Sequence, residues 1–93
     1  MSELSAETTL RRVEFPGSRI QNEMVFFDPE VGKYYATGPV GADIWEFLQT
    51  PRLVVVIFDH ISATYDIDRT TCEAEVRAFL AQMLETGLVA VEA

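Results

Sequence analysis

The sequence predicts an α+β domain in which a three-stranded antiparallel sheet is followed by three helices. Three observations predict it. Strand-like patterning dominates the part of the chain before Gly38, whereas spacings of three and four dominate after Pro39. The segment Tyr34–Leu48 begins strand-like and ends helical. The segment Val76–Val89 runs as a helix through Gly87 into a short apolar end. Neither segment carries a catalytic group, so the combination points to a binding module. A chain of 93 residues makes one domain, residues 1–93, with 1–7 expected to be a frayed, solvated start.

Thr8–Phe15 alternates loosely and stops at Pro16-Gly17, a turn signal, and reads as the first strand. Ile20–Phe27 reads as the second. Asp28-Pro29-Glu30-Val31-Gly32 is a hairpin connection, because proline pre-sets one dihedral and glycine is free to take positive φ. Lys33–Thr37 is then the third strand, antiparallel to the second.

Gly38-Pro39 breaks the sheet, and proline suits a first helical turn, where its missing N–H is not needed. Val40, Ile44, Trp45, Phe47 and Leu48 form an amphipathic stripe that ends at Thr50-Pro51. Leu53–Tyr65 is in tension with itself. Its Val54-Val55-Val56-Ile57-Phe58 run has strand propensity, yet Val54, Ile57, Phe58, Ile61 and Tyr65 follow helical spacing. Length decides for a helix buried on more than one side. Thr70–Thr86 is the clearest helix, with Asp68 in its N-cap region, a Cys72–Val76–Phe79–Leu80–Met83 stripe and Gly87 as the residue that ends it. Leu88–Val91 adds a short extended end. Three short helices with a small sheet have the layout of a winged helix-turn-helix.

Composition excludes several functions. Fifteen acids against seven bases give a net charge of −8, whereas nucleic-acid binders draw most of their affinity from neutralising phosphate. The longest apolar run, Leu53–Phe58, is far too short to span a bilayer, and the polar, acidic start lacks the pattern of a signal peptide. A lone cysteine, Cys72, allows no internal disulfide and suits a cytoplasmic setting. No metal or cofactor is expected: one His and one Cys do not make a zinc site, and Asp66-Ile67-Asp68 lacks the later Gly and Glu of a calcium loop.

The individual candidates read as structural. His60 follows Asp59, but neighbours in a helix do not face each other, so a surface or satisfied histidine is expected. Cys72 suits a small buried apolar role. Trp45, Phe79 and Met83 lie at core spacing. What remains is geometric. In a meander the third strand pairs on one side only, so its other edge is open unless the first strand or the C-terminal end covers it. An extended peptide could add there as a further strand.

The run Tyr34-Tyr35-Ala36-Thr37-Gly38-Pro39-Val40-Gly41-Ala42-Asp43-Ile44-Trp45 resembles the Tyr-x-Leu-Asn-x-x-Gly-x-x-Ile-Trp segment of PqqD-like proteins, the RiPP recognition elements. Tyr35 falls on the Tyr and Gly41 on the Gly, while Thr37 replaces the usual Leu and Gly38 the usual Asn. The Tyr65-Asp66-Ile67 turn and Val76, Phe79, Leu80, Met83, Gly87, Leu88 and Val89 resemble the family's closing helix, so that the likeness covers residues 8–91. Trp45, Pro51, Cys72 and Gly87-Leu88-Val89 are most similar to the stand-alone leader-binding proteins of lasso-peptide clusters.

The resemblance implies a non-enzymatic domain. It would bind the leader of a ribosomally made precursor as an added strand beside the third helix, and present it to a separate leader peptidase and cyclase. Lys33, Tyr34, Tyr35 and Ala36 would supply backbone groups. Val76, at one of the family's core positions, would also count among the peptide-binding residues. Glu73, Arg77, Leu80 and Leu84, at i, i+4, i+7 and i+11, would form the adjacent face, with Leu84 suited to a leader side chain or to packing on the sheet. The alternative is a DNA-binding winged helix, which calls for a basic recognition helix. Thr70–Thr86 offers only Arg77 against Glu73, Glu75 and Glu85.

Overall fold

In the computed structural model, residues 4–13, 17–20 and 23–92 are described. The elements are β1 (Thr9–Arg12), β2 (Gly17–Ile20), β3 (Glu23–Asp28), β4 (Lys33–Ala36), α1 (Pro39–Phe47), β5 (Arg52–Leu53), α2 (Val54–Tyr65), α3 (Arg69–Thr86) and β6 (Val89–Val91). The three expected helices are all present. The strands depart from the expected single sheet and form two three-stranded antiparallel sheets, in the orders β5-β1-β6 and β2-β3-β4.

Two local facts divide the sheet. The stretch Ile20–Phe27, expected as one strand, crosses a hairpin: Ile20 pairs with Glu23, and Gly17 with Phe26. Asn22, a turn-favouring residue type, is the signal inside that stretch. The expected first strand shortens to β1, its Phe15 end lying outside the described residues. Leu10 pairs with Arg52 on one side and with Val91 on the other, so β1 ties the start of α2 to the C-terminal end. Leu10 is wholly buried there.

The helices begin and end where the caps dictate. Proline occupies the first turn of α1. The Asp68 carboxylate accepts the Thr71 N–H at 3.1 Å at the start of α3. Gly87, at φ +85°, takes the left-handed conformation that ends α3, and the Leu88 N–H returns to the Met83 carbonyl at 2.9 Å. The start of α2 has no side-chain cap. Its orphan donors go instead to the beginning of the chain, Val54 N–H to the Thr8 carbonyl at 2.9 Å and Val55 N–H to the Ala6 carbonyl at 3.0 Å. Residues 4–7, expected to fray, are thus part of the fold.

Burial explains why the β-branched run at 54–58 is helical. Val54, Ile57, Phe58 and Ile61 make one buried stripe, and in a strand Ile57 and Phe58 would face opposite ways. The stripe joins Phe26, Ile44, Leu48, Cys72, Val76, Leu80 and Met83 in a single core. Trp45 lies in that core, edge-on to Phe26 with ring centroids 4.7 Å apart.

Candidate functional site

β4 pairs with β3 on one side and meets no strand on the other among the described residues. Neither β1 nor β6 covers it, because both lie in the other sheet, β5-β1-β6. The Thr37 N–H donates to the Met24 carbonyl at 2.9 Å, and the Thr37 hydroxyl accepts the Met24 N–H at 3.2 Å. That bond sets the phase of the antiparallel ladder, in which hydrogen-bonded and non-bonded pairs alternate. With Phe26 opposite Tyr35 and Val25 opposite Ala36, the backbone groups of Tyr35 and Lys33 turn toward β3. Those of Tyr34 and Ala36 turn to the open edge. Only two of the four expected backbone contributors therefore present free groups.

Beside this edge runs one flank of α3. Tyr35, Ala36 and Thr37 face Phe79, Gln82, Met83 and Thr86 across a hollow of about 50 Å³. Continuing past Gly38, a larger hollow of about 260 Å³ opens between α1, α2 and α3, with Ile44, Ile61, Cys72 and Val76 in its walls and the exposed Glu75 among its lining residues. Glu75, Phe79, Gln82 and Thr86 stand at i, i+4, i+7 and i+11, one stripe along the helix. Gly41 makes the close approach possible. A Cβ there would stand 2.8 Å from the Phe79 ring and from Thr37 Cβ.

The structure places the expected α3 residues elsewhere. Val76 and Leu80 are buried core side chains, at 2% and 0% exposure, and Leu80 offers no surface to a partner. Glu73 holds Arg69 at 2.8 Å, next to the Arg69–Asp59 pair at 2.7 Å. These two carboxylates raise the Arg69 pKa. Arg77 donates to the Leu4 carbonyl and lies over the Phe58 ring, 5.1 Å from its centroid. Leu84 is half-buried in a broad cleft with Leu4, Arg77, Ala78 and Ala81, whose lining Gln82 also reaches. At about 100° per residue, this Glu73–Arg77–Leu84 stripe lies well over a third of a turn from the stripe facing β4. Glu75, Gln82 and Thr86, which line the two hollows, were not among the expected residues. Their spacing is identical to that of the chosen set, so only the position of β4 separates the two. Phe79, read as core, is half-buried and exposed to the groove.

The remaining reactive groups are occupied. His60 Nε2 lies 2.9 Å from Asp43 Oδ1, its ring stacked on Phe47 at 4.1 Å. The Cys72 thiol is buried against the Phe58 carbonyl, and burial pushes its pKa up, away from thiolate chemistry. Among the described residues there is no group of His, Cys, Asp or Glu able to hold a metal ion, and no helix long and apolar enough to cross a membrane. Both arginines of α3 are engaged within the chain, which leaves the helix without the basic face that a duplex requires.

The groove can accept an extended chain: backbone groups on one wall, side-chain hollows on the other. The family model described as coenzyme PQQ synthesis protein D (PqqD) matches residues 23–89, from the start of β3 to the first residue of β6. Among solved structures, TbiB1 in complex with the TbiA(β) leader peptide is similar, with 28% sequence identity and a TM-score of 0.75. The match covers 89% of this chain and 98% of TbiB1. Among curated proteins none matches.

Proposed function

This chain belongs to the PqqD family, and on that premise we propose that it captures the leader segment of a ribosomally made precursor peptide. The leader adds as a strand to β4, beside α3, and is presented to a separate leader peptidase and cyclase in lasso-peptide biosynthesis in the cytoplasm. The chain does no chemistry of its own in this scheme and uses no cofactor. Holding a substrate beside an enzyme raises its effective concentration, and that is the whole contribution required. The observation that carries the reading is the open β4 edge lying along a half-apolar flank of α3. The likeness to a protein solved with a leader peptide supports it.

Proline at the edge tests it. Ala36 turns its N–H outward, and a sheet tolerates proline where the N–H it removes faces solvent. Ala36→Pro is therefore expected to leave the circular dichroism spectrum intact. It is expected to weaken binding of the labelled precursor leader about tenfold or more, through one lost backbone bond and the ring's bulk at the edge. Fluorescence anisotropy reads the affinity. Unchanged affinity in a folded Ala36→Pro chain would sink strand addition.

A further inference from the structure

The groove is not one continuous trough. The hollow beside β4 measures about 50 Å³ and has Thr37, Gln82 and Thr86 in its lining. The hollow beyond it measures about 260 Å³ and is lined mainly by apolar side chains, Val40, Ile44 and Ile61 among them. Phe79 belongs to the wall of both. Its ring is backed by α1: Cε1 and Cζ lie where a Cβ on Gly41 would come within 2.8 Å, so the helix backbone itself stops the ring from retreating.

An extended peptide repeats its side chains on one face about every 7 Å. One aromatic ring is a partition of that scale. A strand lying along β4 and continuing past Gly38 would thus place one side chain on each side of Phe79.

Building on the strand-capture reading, we propose that Phe79 is a specificity-determining wall that splits the groove into two unequal side-chain pockets. The captured strand carries a small residue beside Thr37 and Thr86. Two positions away it carries a large aliphatic or aromatic residue, which enters the hollow between the three helices. The unequal volumes assign the sizes. The apolar walls assign the chemistry: among the described lining residues Glu75 is the one charged group and is exposed to solvent, and a charged side chain seated against Ile44, Ile61 and Val76 would lose its hydration.

The test is selection of an mRNA-displayed library of random dodecapeptides on the full chain, its Phe79→Ala variant and a Val40→Trp variant. Val40 is half-buried at the larger hollow, so tryptophan there plugs it without disturbing α3. Wild-type selection is expected to enrich Gly, Ala or Ser two positions from Leu, Ile, Met or Phe. Phe79→Ala is expected to admit large residues at both positions, raising affinity for such peptides about tenfold or more. Val40→Trp is expected to lower affinity for the wild-type winners by a similar factor, and it keeps the test alive if Phe79→Ala proves unstable. Winners without the paired pattern, or a pattern indifferent to both variants, would overturn the partition. Binding of the winners to Ala36→Pro separates the two levels. If that variant abolishes binding while Phe79 proves irrelevant, strand capture stands and only the partition falls. If it binds as wild type does, or if no peptide is enriched at all, strand capture fails and the partition goes with it.

Discussion

The two flanks of α3 are built alike and have different neighbours. One carries Glu73, Arg77 and Leu84 and is engaged by the protein itself: Glu73 holds Arg69, Arg77 reaches the Leu4 carbonyl, and Leu84 shares a cleft with Leu4. The other carries Phe79, Gln82 and Thr86 beside an open strand edge, and Glu75 at the hollow between the helices. Both stripes mix polar and apolar residues at the same helical spacing. What distinguishes them is what the rest of the chain brings alongside: Leu4 on one flank, β4 on the other. Both flanks keep open space, a broad cleft around Leu84 on one and the hollows beside β4 on the other, and only the second has a strand edge alongside; periodicity alone does not report that.

The largest expected effect belongs to the residue between the flanks. Leu80, at 0% exposure, belongs to neither surface. Leu80→Asp buries a carboxylate without a partner, which costs several kcal/mol. A domain of this size has only about 5–10 kcal/mol in hand. The variant is expected to be mostly unfolded in thermal denaturation, with leader binding lost as a consequence. A folded Leu80→Asp chain with weakened binding would return Leu80 to the binding face.

An intermediate effect separates the flanks directly. Thr86→Tyr fills the small hollow beside β4 and is expected to weaken leader binding about tenfold, the scale of an interface hot spot, with little change in melting temperature. Leu84→Ala on the other flank is expected to do the reverse. It removes half-buried packing, lowering stability by about 1–2 kcal/mol and the melting temperature by roughly 5–15 °C, and leaves affinity within about twofold. If Leu84→Ala weakens binding as much as Thr86→Tyr, the peptide lies on the wrong flank in the present assignment.

Much of this was legible in the sequence. Each helix is encoded locally: Pro39 opens α1, Asp68 caps α3, Gly87 ends it, and the buried stripe Val54–Ile57–Phe58–Ile61 overrides the strand propensity of the valine run. The open edge also followed from the order of elements, because β4 leads into a helix and, among the described residues, has only β3 beside it. The strand count was less legible. β1 owes its place to long-range pairing with β5 and β6, two and three residues long, too short to carry a pattern. The phase of β4 was not legible at all. Which of Tyr35 and Ala36 turns its N–H outward depends on register with β3, set by the Thr37–Met24 bonds. Tyr35→Pro, which looks like an edge mutation in the sequence, therefore removes a bond to β3 and is expected to damage the sheet.

The smallest effect is the sharpest test of the Arg77 flank. The Arg77 guanidinium donates to the Leu4 carbonyl and lies over the Phe58 ring. The same opening segment supplies the carbonyls of Ala6 and Thr8 to the first donors of α2. Arg77 thus acts as a latch on the piece of chain that caps another helix. Arg77→Ala removes one hydrogen bond from a charged donor and a partly exposed cation–π contact, together worth about 1–2 kcal/mol. Urea denaturation is expected to show that loss at an unchanged slope, and hydrogen exchange should quicken at Val54 and Val55, whose amides depend on the latched segment. Leader affinity is expected to stay within about twofold, because nothing on the β4 side has moved. An Arg77→Ala chain of unchanged stability and exchange but weakened leader binding would reverse the roles of the two flanks.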